Sequence, residues 1–229
     1  NSNHNNPAGV PVVDPLPIKG TGENKTNNEK NIYGKIIDIA CGLNHTMILN
    51  NKGEVYTFGS NINGQLGYNF NGANVVFPPI PANFDQKLYE YIIGINPPPV
   101  AGLNFFFFNA PNNNISQPLP ITDTLKDYND NNYKKIKSIA CGANHSMIIT
   151  EAGEVFSFGQ YNNNIGKLGL DNLGADVKSP QRIIGTGYSE YGKIISASAG
   201  DEHSLILNKN GNVFSFGDFN DGRLGLRDL

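Results

Sequence analysis

Residues 35–67 read KIIDIACGLNHTMILNNKGEVYTFGSNINGQLG, and the same stretch returns twice. Residues 135–169 are KIKSIACGANHSMIITEAGEVFSFGQYNNNIGKLG, and residues 193–225 are KIISASAGDEHSLILNKNGNVFSFGDFNDGRLG. A histidine, a glycine-closed turn, an aromatic-glycine pair and a final Leu-Gly stay in register throughout. Self-similarity of this length marks a repeat architecture, in which one supersecondary unit packs against its neighbours.

Each copy translates into short strands. Residues 35–40 are rich in β-branched side chains until Cys41-Gly42 interrupts them. Thr46, Met47, Ile48 and Leu49 suit a strand covered on both faces. Asn51-Lys52-Gly53, Glu151-Ala152-Gly153 and Lys209-Asn210-Gly211 read as hairpin turns, with glycine supplying the positive φ that closure needs. In the VYTF, VFSF and VFSF runs from Val55, Val155 and Val213, large aromatics alternate with small residues, so one face is aromatic and the other small. A proline-led segment precedes each copy (residues 15–18, 118–121 and 180–183). It is expected to form the outer edge of the unit, where a missing N–H does least harm. The fold class predicted is all-β: three β-propeller blades of four antiparallel strands each. Sustained helical periodicity is absent.

The chain has 229 residues, 38% hydrophobic and 16% charged, with a net charge of −3. Lys and Arg form no long basic run, so no strong nucleic-acid signal exists. No run approaches the ~18 apolar residues of a membrane helix, and no charged-then-apolar leader opens the sequence. Two cysteines, Cys41 and Cys141, share one register at which the third copy has Ala199. That position asks for a small core side chain, and free thiols suit an intracellular setting, nucleus or cytoplasm.

Candidate chemistry is sparse. His45, His145 and His203 recur in register, and equivalent positions on successive blades do not converge on one ion, so no metal is expected. They read instead as histidines that lock the turn before a strand by hydrogen bonds. No serine lies in a G-x-S-x-G elbow and no phosphate-binding loop occurs. No catalytic residue and no cofactor are predicted. Function must then lie where the copies differ. The turn before the histidine is Leu43-Asn44, Ala143-Asn144 and Asp201-Glu202 in the three copies. The segment after Phe-Gly is two residues longer in the second copy, which predicts a longer loop over residues 160–170.

The strings A-C-G-x-N-H-[ST], G-E-V-[YF]-[ST]-F-G and G-Q-L-G resemble the repeat of the regulator of chromosome condensation family, with Phe58, Phe158 and Phe216 where that family often has Trp. The resemblance implies a propeller of about seven blades, of which three are present here. Members that act as guanine-nucleotide exchange factors press a wedge-like loop into a Ran-type small GTPase, helped by acidic residues before the repeat histidines. By that match Gln160, Tyr161, Asn162, Asn163, Asn164, Ile165 and Lys167 resemble the wedge, and Asp201 and Glu202 the acidic contacts. The copy with the long loop carries Ala143 where an acid is expected. The alternative is a scaffold propeller that holds other proteins.

Residues 68–114 fall outside the repeat and are rich in Asn, Pro and Phe. They are expected to add no blade strand and to cover a propeller surface with Phe105, Phe106, Phe107 and Phe108. An exposed run that apolar would invite aggregation.

Overall fold

The computed structural model describes residues 33–67, 75–76, 107–108, 114–120, 135–161, 165–171, 174–187 and 190–226. The first copy gives β1 (Ile36–Cys41), β2 (His45–Asn50) and β3 (Val55–Ser60). Next come β4 (Val75–Val76), β5 (Phe107–Phe108) and β6 (Asn114–Pro120). The second copy gives β7 (Ile136–Cys141), β8 (His145–Thr150) and β9 (Val155–Gly159), followed by β10 (Val177–Arg182). The third gives β11 (Ile194–Ala199), β12 (His203–Asn208) and β13 (Val213–Gly217).

The hairpins close as their side chains dictate. Asn50 Oδ1 accepts from the N–H groups of Lys52 and Glu54, and Asn208 Oδ1 does the same for Asn210 and Asn212. Gly53, Gly153 and Gly211 sit at φ of 83°, 85° and 86°. In every copy the innermost strand shifts register at its second residue, Ile37, Lys137 or Ile195, so the bulge belongs to the repeat.

All pairing is antiparallel, in the orders β1-β2-β3-β6, β10-β9-β8-β7 and β11-β12-β13. The outer strands correct one expectation. The proline-led strand β6 pairs with β3 of the first copy, and β10 with β9 of the second. Each therefore completes the blade it follows and not the one it precedes. The chain leaves β3 or β9 on the outside of its sheet, adds the edge there, and only then crosses inward to begin the next copy. Consequently the third blade has three strands among the described residues. Residues 15–18 lie outside the described residues.

Within the 68–114 insertion, β4 and β5 pair with each other in a sheet of their own. Among the described residues of the insertion, Asn114, the first residue of β6, is the one that enters a blade. The expected cover by Phe105 to Phe108 falls on side chains outside the described residues.

Strand β1 touches β7, and β7 touches β11, while the outer strands make no comparable contact with the next blade. The sheets thus splay from a common axis, as propeller blades do. Two apolar cores fill the joints. In the first, Met47, Leu49 and Val55 meet Ile136, Ile139, Ile148, Phe156 and Phe158. In the second, Met147, Ile149 and Val155 meet Ile194 and Ile206, with Phe214 and Phe216 half-buried against them.

Candidate protein-binding face

One end of the blades gathers both segments in which the copies differ. The residue after each Phe-Gly pair donates its N–H to the carbonyl of the residue before the histidine: Ser60 to Asn44, Gln160 to Asn144 and Asp218 to Glu202. The variable turn and the variable loop are therefore stitched together in every copy. Neighbouring turns are also linked, since Leu43 N–H donates to Ala143 O and Ala143 N–H to Gly200 O. At the axis these turns line an open groove that includes Cys41, Cys141, Ala199 and Asp201.

Beneath this end lie the histidines. A Cβ at Gly42 would fall 2.2 Å from His45 Cε1, so only glycine leaves room for the ring. The ring locks more than its own turn. His45 Nε2 lies 2.8 Å from Ser146 Oγ of the next blade, and His145 Nε2 lies 2.8 Å from Ser204 Oγ. Each serine hydroxyl donates to a carbonyl of the blade before it, Gln65 O or Lys167 O, at 2.8 Å. With its proton so used, the serine oxygen accepts, and the histidine is the neutral Nε2–H tautomer. Burial lowers the pKa of His45 to about 4. Burial, with the Lys167 charge second, lowers that of His145 to about 3. The repeat position expected to be a small core side chain lies at the groove instead: Cys41 is exposed and Cys141 half-buried, and desolvation pushes the Cys141 thiol up to about 12. Among the described residues no cluster of three His, Cys, Asp or Glu could hold a metal.

The residues singled out in the sequence divide here. Lys167 does not project; it is 1% exposed, and its Nζ donates to Glu202 Oε2 at 2.7 Å and to Gln160 Oε1 at 2.9 Å. That pair is a latch between the second and third blades. Tyr161 is half-buried against the first core, and its N–H donates to Asp176 Oδ1 at 2.9 Å. Ile165 is half-buried and Asp201 is exposed. Asn162, Asn163 and Asn164 lie outside the described residues. The loop after β9 and the Asp201-Glu202 turn do share one end, joined by the latch. Sequence reasoning missed Ser146, Ser204 and Asp176. The Ser or Thr after every repeat histidine was the available signal for the first two.

The model of the regulator of chromosome condensation (RCC1) repeat matches residues 36–65, 136–164 and 194–223, and a second model of that repeat matches residues 152–207. The chain belongs to this repeat family. It is 31% identical over 193 residues to the human X-linked retinitis pigmentosa GTPase regulator, covering 84% of this chain and 14% of that protein. It is 32% identical over 193 residues to a Dictyostelium discoideum bifunctional serine/threonine-protein kinase/NEDD4-like E3 ubiquitin-protein ligase, covering 84% of this chain and 10% of that one. Human protein RCC2 is 41% identical over 93 residues, covering 41% of this chain and 17% of that protein. In fold it is similar to Prp20p of Saccharomyces cerevisiae (TM-score 0.54, 23% identity, 92% of this chain and 41% of that chain), a protein studied for its binding to Gsp1p and histones. Human WBSCR16 is also similar (TM-score 0.54, 18% identity, 87% of this chain and 40% of that chain). The chain thus spans less than a fifth of these curated relatives and about two fifths of these solved propellers. Among the described residues no helix is long and apolar enough to cross a membrane.

Proposed function

We propose that this RCC1-repeat segment is the partner-binding part of a regulator of a Ran-type small GTPase. It acts by docking and nucleotide release, without covalent chemistry. The observation that carries the reading is the stitching of the longer second-copy loop and the acidic turn into one end of the blades. A protein pressed against that end meets an exposed carboxylate, Asp201, beside an extended loop. The relation to a GTPase regulator supports the same partner class.

A second reading, a scaffold that binds without expelling nucleotide, draws on the latch. Lys167 and Glu202 satisfy each other, which leaves Asp201 as the free acid of that turn. Release of labelled GDP from a Ran-type GTPase, measured beside direct binding, separates the two. Exchange requires faster release; the scaffold reading requires binding without it. Asp201→Ala should weaken binding roughly ten- to a hundredfold, the range for losing a charged hydrogen bond. No binding by the unaltered chain defeats the GTPase assignment.

A further inference from the structure

The blades have a second end, opposite the face just described, where the hairpin turns at residues 51–54, 151–154 and 209–212 lie. Lysine recurs there in register, at Lys35, Lys135 and Lys193, one residue before each innermost strand. Backbone bonds tie the three to the hairpins: Asn51 N–H donates to Lys35 O at 2.8 Å, Glu151 N–H to Lys135 O at 2.9 Å, and Lys209 N–H to Lys193 O at 2.9 Å. Successive blades also meet at this end, since Ile136 N–H donates to Gly53 O and Ile194 N–H to Gly153 O, both at 3.2 Å. A Cβ at Gly53 would fall 2.2 Å from Lys135 Cγ, and one at Gly153 2.5 Å from Lys193 Cγ. The lysine stem of one blade therefore crosses the bare glycine of the blade before it. Packing of the stem explains a long side chain at that position but not a charged one. Lys52, Lys137 and Lys209 extend the row, so lysines follow the hairpin end from blade to blade.

Few acids answer them. Glu151 pairs with Lys135 at 2.9 Å, and Glu154 with Arg182 at 3.2 Å. Glu54 accepts from Asn50 Nδ2 and from the Tyr56 hydroxyl. Among the described residues no ion pair holds Lys35, Lys52, Lys137, Lys193 or Lys209. Lys52, Lys137 and Lys209 are exposed. At the other end the balance is reversed. Lys167 is taken by Glu202 and Arg223 by Asp218 and Asp221, which leaves Asp201 exposed and without an ion pair. The two ends of the blades thus differ in the sign of the charge they leave unpaired.

We propose that the hairpin end is a second binding surface, which takes an extended acidic segment of another protein. The chemistry selects that class. The lysines are point charges spread over three blades, so they suit a linear chain of carboxylates and not one small anion. Among the described residues no large aromatic is exposed at this end to stack a base. The guanidinium there, Arg182, is already held by Glu154 and by Thr186 O at 2.8 Å, so no free fork awaits a phosphate. Fluorescence anisotropy of a labelled poly-glutamate peptide with the 229-residue chain should show saturable binding that weakens as salt rises. Lys52→Gln, Lys137→Gln and Lys209→Gln alter exposed side chains, so circular dichroism should not change. Each should weaken binding by up to about fivefold, and the three together by about a hundredfold. Lys178→Gln removes the same charge from the other end of β10 and should leave binding as it was. A chain that ignores poly-glutamate overturns the proposal. Equal weakening by Lys178→Gln does so too, because attraction would then belong to the whole chain and not to this end. Tighter binding of a single-stranded oligonucleotide than of poly-glutamate overturns the partner class.

Discussion

At the scale of single residues, the joint rests on a histidine seated on a glycine. A Cβ at Gly142 would lie 2.2 Å from His145 Cε1 and 2.3 Å from Gly200 O, so neither neighbour can yield cheaply. Gly142→Ala should therefore cost about 3 kcal/mol in urea unfolding. Removing the serine acts differently. Ser204→Ala leaves a buried Nε2–H and a buried carbonyl unpaired, which should cost about 1–3 kcal/mol. The histidines also set an acid limit. Unfolded, each imidazole protonates near pH 6.5, whereas burial holds His45 and His145 to about 4 and 3. Below pH 6.5 the unfolded chain takes up protons that the folded chain refuses. The stability these two residues hold at neutral pH is lost as pH falls from about 6.5 toward 4. The expected slope is about 1.4 kcal/mol per pH unit for each. Unfolding midpoints at pH 7, 6 and 5 check this, and His145→Gln should flatten the dependence. The register of these histidines was legible in the sequence. Their partners were harder to see, because the bonds join residues 101 and 59 positions apart.

At the scale of the element, joints of one design differ in their charge. The first sets Gln65 in the place where the second has Lys167, and Asn144 where the second has Glu202. Lys167→Ala would strand Glu202 and Gln160 beside a void. The cost should be about 3 kcal/mol, the lower end for a broken buried pair, because Glu202 still reaches solvent. The double change Lys167→Gln with Glu202→Asn copies the first joint and should recover most of that loss, as a double-mutant cycle in urea would read. Repeat comparison alone reveals the substitution pattern. It does not reveal that Lys167 points inward, since a lone lysine in an Asn-rich loop reads as solvated. The outer strands teach a similar lesson. Proline placed residues 118–121 at an edge, and rightly so, but an edge strand pairs with whichever sheet the chain has just left. Sequence order cannot choose between the two neighbours; the position of the preceding strand does.

For the whole molecule, the three copies share a sequence pattern but not an environment. Every residue of β8 and β9 is buried, because blades stand on both sides of the second copy. In β13 the pattern is one exposed residue followed by four half-buried ones, and in β1 half-buried and exposed residues alternate. The repeat count and the strand boundaries came from local patterning; this gradient came only from which faces meet, which no single copy encodes. Local opening free energy follows burial of the strand and its hydrogen bonds. Amide exchange read by mass spectrometry should then rank the strands. β8 and β9 should exchange slowest, near the rate of global unfolding, and β1 and β13 fastest. Blades that behaved as independent units would give three matched profiles, with β2, β8 and β12 exchanging alike. That outcome would mean the joints contribute little, and that the Lys167–Glu202 latch and the histidine–serine links are geometry without consequence for stability.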